Sequence, residues 1–181
     1  MFTSKSKHQP LATDSRLIVT QPGDVIVENL MGTFPVSFNK GVYALIVKDH
    51  LSFLEKFYLL RQKSDATPFI VEWIEKFNNL TKFKVKQLCT DNGGEFSSWF
   101  LNDTLQTRGI VHETTIPCKH HESGKIEQTN KKIVEAARSM LINPNLGPEL
   151  WTHTFWKAIC VFNCLLHRKA TKTLYELVAG K

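Results

Sequence analysis

"QLCTDNGGEF", residues 87–96, is the stretch on which the reading of the fold turns. An apolar-tinged run breaks off at Asp91, and Asn92-Gly93-Gly94 follows, a turn by its chemistry because Asn and Gly accept backbone conformations that other residues avoid. Asp91 is then either an ordinary turn aspartate or a carboxylate held at the carboxyl end of a strand. Taken alone, the first is the commoner case. A strand end to occupy and a partner carboxylate elsewhere would favour the second.

The chain upstream supplies the strand context. "DVIVENLM" (24–31) is short and β-branched, stops at Gly32 with Pro35 close behind, and reads as a buried strand. "FNKG" makes a turn into "VYALIVKD" (42–49), and "LSFLEKFYLLR" (51–61) reads as a third strand, so the three form an antiparallel meander. "SDATPFIVEWIEKFNNL" (64–80) then switches to helical spacing, with Ser64 as N-cap and Phe69, Trp73, Ile74 and Phe77 on one face. "FKVKQLC" (83–89) is the fourth strand, with Asp91 at its carboxyl end.

Downstream, "SSWFLNDTLQTRG" (97–109) reads as a short helix closed by Gly109, and "IVHETTI" (110–116) as a fifth strand. From Ser123 to Ile142, Ile126, Ile133, Ala137 and Met140 fall in one sector of a helix, with Glu127 at its border. "NPNLGP" interrupts, and a last helix carries Trp151, Phe155, Ala158, Phe162 and Leu165 on one stripe. Three strands, helix, strand, helix, strand and then helices predict an α/β domain with a five-stranded mixed sheet: a three-strand antiparallel meander plus two parallel strands, with helices on both faces. In such sheets the working residues sit at the carboxyl ends of central strands, as Asp91 would.

Composition bounds the function. The 181 residues suit one domain with short tails, divided here as a basic irregular arm (1–22), a core (23–169) and a C-terminal tail (170–181). At 42% hydrophobic and 22% charged, the chain is globular. A net charge of +6 favours an anionic partner, nucleic acid being the commonest; a basic surface that only keeps the protein soluble is the plain alternative. No signal peptide or membrane-spanning run is visible, so no membrane partner is expected. The four cysteines form no CxxC pair. Cys160 and Cys164, at helical spacing, read as small core hydrophobes, and a reducing intracellular setting follows. Cys118, His120, His121 and Glu122 cluster locally, but their spacing matches no standard zinc pattern.

Thirty-five residues separate Asp91 from Glu127, which lies in the first turns of an amphipathic helix. With "TDNGGEF" (90–96), "GIVHETTIP" (109–117), "KSDA" (63–66), "ARSML" (137–141), "LWTHTFWKAICVFN" (150–163) and "KTLYELVAGK" (172–181) in order, the chain resembles the retroviral-type integrase catalytic core of the DDE superfamily, closest to integrases of copia-type LTR retrotransposons. The resemblance implies a ribonuclease H-like fold, and an acidic triad that binds two divalent cations, Mg²⁺ or Mn²⁺, for phosphodiester cleavage and strand transfer in DNA integration. Two such ions stabilise the attacking and the leaving oxygen together, and hard cations need converging carboxylates. Asp91 and Glu127 would be two of the catalytic and metal-binding acids.

The first acid departs from the family pattern. It stands three residues before a Gly-Pro pair in the family; in "ENLMGTFP" (28–35) that position is Asn29, and Thr33 replaces the proline. The amide removes a charge from the ligand that would bridge both metals. Period-two alternation sends neighbouring Glu28 to the opposite face of the sheet, and Asp49 matches a family aspartate outside the triad and is read as structural. The third motif, "HHESGKIEQTNKK" (120–132), keeps Gly124, Glu127 and Asn130 but carries His120, Ser123, Gln128 and Lys131 where the family has Pro, Asn, Arg and Arg. Lys131, about 40° from Glu127 on the helical wheel, is the first candidate phosphate contact. Lys125, Lys132, His120 and His121 follow, with Gln128 in place of a cation. The zinc module that precedes the core in the family has no counterpart before residue 23.

The resemblance therefore predicts a retrotransposon-derived integrase core impaired by Asn29, acting on DNA and with RNA as a second ligand, homo-oligomeric, and nuclear. A non-catalytic nucleic-acid-binding remnant is the alternative, and a ribonuclease H acting on RNA–DNA hybrids lacks a fourth carboxylate.

Overall fold

The computed structural model describes residues 19–91, 93–114, 123–142 and 147–165, with side chains described from residue 130 onward in the helix that begins at 123. Five strands form one sheet: β1 (Ile26–Gly32), β2 (Tyr43–Asp49), β3 (Glu55–Leu60), β4 (Gln87–Cys89) and β5 (Val111–Glu113), in the order β3-β2-β1-β4-β5. β1–β2 and β2–β3 are antiparallel, whereas β1–β4 and β4–β5 are parallel. The helices are α1 (Ala66–Leu80), α2 (Trp99–Thr107), α3 (Ser123–Leu141) and α4 (Trp151–Cys164). The mixed sheet with a three-strand meander is the one the element order predicts.

Strand β2 explains the layering. Its sequence, YALIVKD, is an almost continuous apolar run because both of its faces are covered. Leu45 and Val47 pack with Ile26, Leu60 and Leu88 under α1, which contributes Ile70, Trp73, Ile74 and Phe77, and under Leu101 and Leu105 of α2. Ala44 and Ile46 point the other way, into Ile133 and Ala137 of α3 and Trp151, Phe155, Ala158 and Ile159 of α4. Burial of each large apolar side chain contributes about 1.5–3 kcal/mol, so both clusters are substantial. Phe34 stacks on Trp151 with ring centroids 4.6 Å apart, and the Trp151 indole N–H donates to the Pro35 carbonyl at 2.8 Å, which ties the segment after β1 to α4.

Charged residues are buried where the meander turns. Asp49 is fully buried and accepts from the Gly23 N–H (2.6 Å), the Ser52 N–H (2.7 Å) and the Ser52 hydroxyl (2.6 Å), which agrees with its reading as a structural residue. Gly23 sits at φ +90, and a Cβ there would lie 2.6 Å from the Lys84 carbonyl oxygen, so that close approach requires glycine. Lys48 and Glu55 pair at 2.8 Å with side chains only 2% and 1% exposed. Asn163, in the last turn of α4, accepts from the Glu55 N–H (3.0 Å) and donates to the Glu55 carbonyl (2.7 Å), clasping α4 to the start of β3.

Several local expectations are corrected. β3 starts at Glu55 rather than Leu51, because residues 50–54 form a turn around the Asp49 carboxyl, with Phe53 at φ +60. Ser64 does not cap α1. It lies inside a 3₁₀ turn, Lys63–Asp65, at whose start the Gln62 N–H donates to the Asp65 carboxyl at 3.0 Å. β4 and β5 are three residues each, shorter than their alternation suggests. Cys160 is half-buried and Cys164 exposed, both free, so neither is a core residue; Cys89 is disulfide-bonded. Leu165 follows the end of α4 and is exposed rather than part of its buried stripe. Residues 1–18 of the arm and the whole of the tail 170–181 lie outside the described residues, as do 115–122 and 166–169. No described helix is long and apolar enough to cross a membrane.

Candidate functional site

The site is built where β1 and β4 diverge. Their parallel ladder holds Ile26 level with Leu88 and Val27 level with Cys89, then stops. Continued two residues further, the same register puts Asn29 level with Asp91. Asn29 pairs across the sheet with Ile46, whose side chain belongs to the α3/α4 cluster, so the Asn29 side chain is directed to that face. Glu28 pairs with Val47, which belongs to the α1 cluster, and so takes the other face, as alternation requires. Asn29 is half-buried and Asp91 exposed.

Asp91 is held by its backbone and its carboxylate at once. Its Oδ1 accepts from the Gly93 N–H at 2.9 Å, the Asx turn that the sequence chemistry predicts. Its own N–H donates to Oε1 of Glu28 at 3.1 Å. The preceding Thr90 N–H donates to the Glu113 carbonyl of β5 at 3.0 Å. The Thr90 hydroxyl also meets Nε2 of His112 at 3.0 Å, and the His112 Nδ1 meets Oδ1 of Asn102 in α2 at 2.9 Å. Since the Asn102 oxygen can only accept, Nδ1 donates to it, while the Thr90 hydroxyl can donate to Nε2 of a neutral ring or accept from a protonated one. Burial lowers the His112 pKa, which favours the neutral ring, with Thr90 as the donor to Nε2. Sequence reasoning missed Glu28, Thr90, His112 and Asn102 as supports of Asp91; the register of β1 against β4 was the one available signal, and it requires knowing that those strands are neighbours.

The third motif is described only in part. Lys125, Glu127 and Gln128 lie in the first turns of α3, where the backbone alone is described, and His120 and His121 lie outside the described residues, as do Cys118 and Glu122. Lys131 and Lys132 are exposed, while Ile133 and Ala137 are turned into the core. Lys131 approaches Glu135 at 3.9 Å, an exposed i,i+4 pair worth about 0.3–0.5 kcal/mol. So weak a contact leaves the ammonium available to a phosphate.

Of the donors described here, Asn29 offers one neutral amide oxygen and Asp91 a carboxylate whose Oδ1 also accepts from the Gly93 N–H; the Glu127 side chain is not among those described. Among the described residues no group of three His, Cys, Asp or Glu side chains is placed to hold a metal ion.

Comparison with known proteins places this geometry among relatives. No family model matches the chain. It is 27% identical over 164 residues to the retrovirus-related Pol polyprotein from transposon RE2 of Arabidopsis thaliana, covering 91% of this chain and 11% of that protein. It is 33% identical over 110 residues to the corresponding polyprotein from transposon TNT 1-94 of Nicotiana tabacum, covering 59% of this chain and 8% of that protein. The chain thus spans about a tenth of the length of these relatives. Among solved structures, it superposes on a chain of the simian T-cell lymphotropic virus intasome bound to the PP2A regulatory subunit B56 gamma (TM-score 0.66, 20% identity, 96% of this chain and 60% of that one). It also superposes on the HTLV-2 integrase catalytic core domain in complex with magnesium in its trimeric form (TM-score 0.61, 20% identity, 87% and 97%) and on the BIV integrase catalytic core domain (TM-score 0.61, 15% identity, 87% and 95%). The homologues are copia-type retrotransposon Pol polyproteins, and the fold is that of retroviral integrase catalytic cores, ribonuclease H-like.

Proposed function

We propose that this chain is the core domain of a retrotransposon-derived integrase, that it binds nucleic acid through the basic outer face of α3, and that its phosphodiester chemistry is impaired at the first acidic position. The observation that supports the reading is the register of β1 against β4, Ile26 with Leu88 and Val27 with Cys89, whose continuation past the last pair would set Asn29 level with Asp91. Such neighbouring strand ends are where ligands enter open α/β sheets. With Asp91 and Glu127 as the remaining acids, an amide at position 29 withholds the charge that would bridge a pair of Mg²⁺ or Mn²⁺ ions. Lys131 and Lys132, with Lys125, Gln128, His120 and His121, would hold the phosphate backbone of DNA, or of RNA. A homo-oligomer working in the nucleus completes the proposal.

Thermal melting of wild type, Asn29→Asp and Glu28→Asp, each with and without Mn²⁺, tests it. Asn29→Asp should gain metal-induced stabilisation over wild type, and Glu28→Asp should gain none. A strand-transfer assay in Mn²⁺ should find little joining by wild type and none by Asp91→Asn. If Asn29→Asp melts no higher with Mn²⁺ than wild type does, Asn29 is not at the triad position.

A further inference from the structure

We infer that Glu28 is a positioning residue: its carboxyl group replaces a strand carbonyl as the acceptor for the Asp91 amide and fixes Asp91 at the mouth of the β1–β4 gap. In the parallel ladder each β4 amide is served by its neighbours' backbone. That arrangement ends at Val27 and Cys89, two residues short of Asp91. The Thr90 N–H turns to β5 and finds the Glu113 carbonyl at 3.0 Å. The next N–H, that of Asp91, is met from the β1 side by Oε1 of Glu28 at 3.1 Å, a contact between residues 63 apart in sequence. Glu28 is itself 6% exposed, so the bond is made in a setting where water competes poorly for the amide.

The arrangement separates two roles within one dipeptide. Alternation places Asn29 on the α3/α4 face and sends Glu28 to the α1 face. Glu28 thus grips the main chain of Asp91, while the Asp91 carboxylate is engaged in its own turn with Gly93. The Thr90–His112–Asn102 chain braces the adjacent residue from β5 and α2. Beyond the last paired residues, Val27 and Cys89, a side chain thus takes the place of a backbone acceptor. Glutamate reaches; aspartate, one methylene shorter, does not.

The purpose of the anchor rests on the reading of Asp91 as a working carboxylate, but the anchor can be measured without it. Amide hydrogen exchange, followed by NMR, would compare wild type with Glu28→Gln, Glu28→Asp and Glu28→Leu, using the Leu88 amide as internal reference. Glu28→Gln keeps an acceptor oxygen at the same reach and should hold Asp91 protection within about threefold of wild type. Glu28→Asp and Glu28→Leu should lose about tenfold or more at Asp91 with Leu88 unchanged. Rescue by Gln alone separates an acceptor role from space-filling, and Glu28→Asp keeps the comparison open should Glu28→Leu fail to fold. Equal Asp91 protection in all four proteins, or a loss in Glu28→Gln as large as in Glu28→Leu, overturns the anchor. Neither result bears on the Mn²⁺ melting of Asn29→Asp, so the two ideas fail independently.

Discussion

Replacing Lys48 by Met should be among the most damaging single changes in this domain, and replacing Lys48 and Glu55 together should be nearly harmless. The pair is buried at 2.8 Å with almost no solvent on either side chain, and the Lys48 ammonium also lies 4.7 Å from the centre of the Phe53 ring. Met fills the space of the lysine stem and places its sulfur near that ring, so packing and the aromatic contact are largely conserved. What is lost is the cation. Removing one partner of a buried ion pair leaves an uncompensated charge and costs about 3–5 kcal/mol. In a domain of this size that is a fall in melting temperature of roughly 6–20 °C. Lys48→Met/Glu55→Leu removes both desolvation costs and should melt near or above wild type.

The pH dependence of the single variant adds a second check. Burial raises the Glu55 pKa from 4.5 even though Lys48 opposes the shift, and without Lys48 that opposition is gone. A carboxyl with a raised folded-state pKa contributes stability that is fully present below 4.5 and lost as pH rises through the folded value. The deficit of Lys48→Met should therefore be small near pH 4.5 and grow towards neutrality. Urea denaturation at several pH values measures it. A double variant as unstable as Lys48→Met, or a single variant within about 1 kcal/mol of wild type at neutral pH, would refute the reasoning.

Two further outcomes are expected. The depressed pKa of His112 means that the unfolded chain binds its proton first, so stability should fall as pH drops below 6.5 and level off below the folded value; His112→Gln should flatten that part of the profile in thermal melts. Lys131→Ala/Lys132→Ala should weaken DNA binding similarly across sequences and reduce the slope of log affinity against log salt by about one per lysine. An unchanged slope in fluorescence anisotropy titrations would remove α3 from the interface.

Much of the architecture was legible because most elements declare their period. The α3 residues Ile133 and Ala137 and the α4 residues Trp151, Phe155 and Ala158 are buried as helical spacing predicts, and the "YALIVKD" run of β2 is covered on both faces. What escaped was set by contacts distant in sequence. The start of β3 depends on a turn organised by the buried Asp49 carboxyl, and the cysteines of α4 share a helix with core residues yet lie off its buried stripe. At the candidate site, the ends of β1 and β4 could be read from apolar runs that stop at turn residues. The hold of Glu28 on Asp91 could not, since no local pattern records a hydrogen bond spanning β1 and β4.

The division of the core into two clusters also orders events during synthesis. Among the described residues, the α1-side cluster draws only on those from Ile26 to Ile110, so that part can close once that much of the chain has emerged. The opposite face of the same sheet, with Ala44, Ile46 and Phe57, must wait for Trp151, Phe155 and Ile159, and the Glu55 clasp waits for Asn163. At about 5–20 residues per second, a half-covered sheet with an exposed aromatic and aliphatic face persists for seconds on each ribosome. A reading frame that stops between α2 and α4 would leave that face bare for good, and its product should bind chaperones or aggregate rather than accumulate as a smaller folded domain.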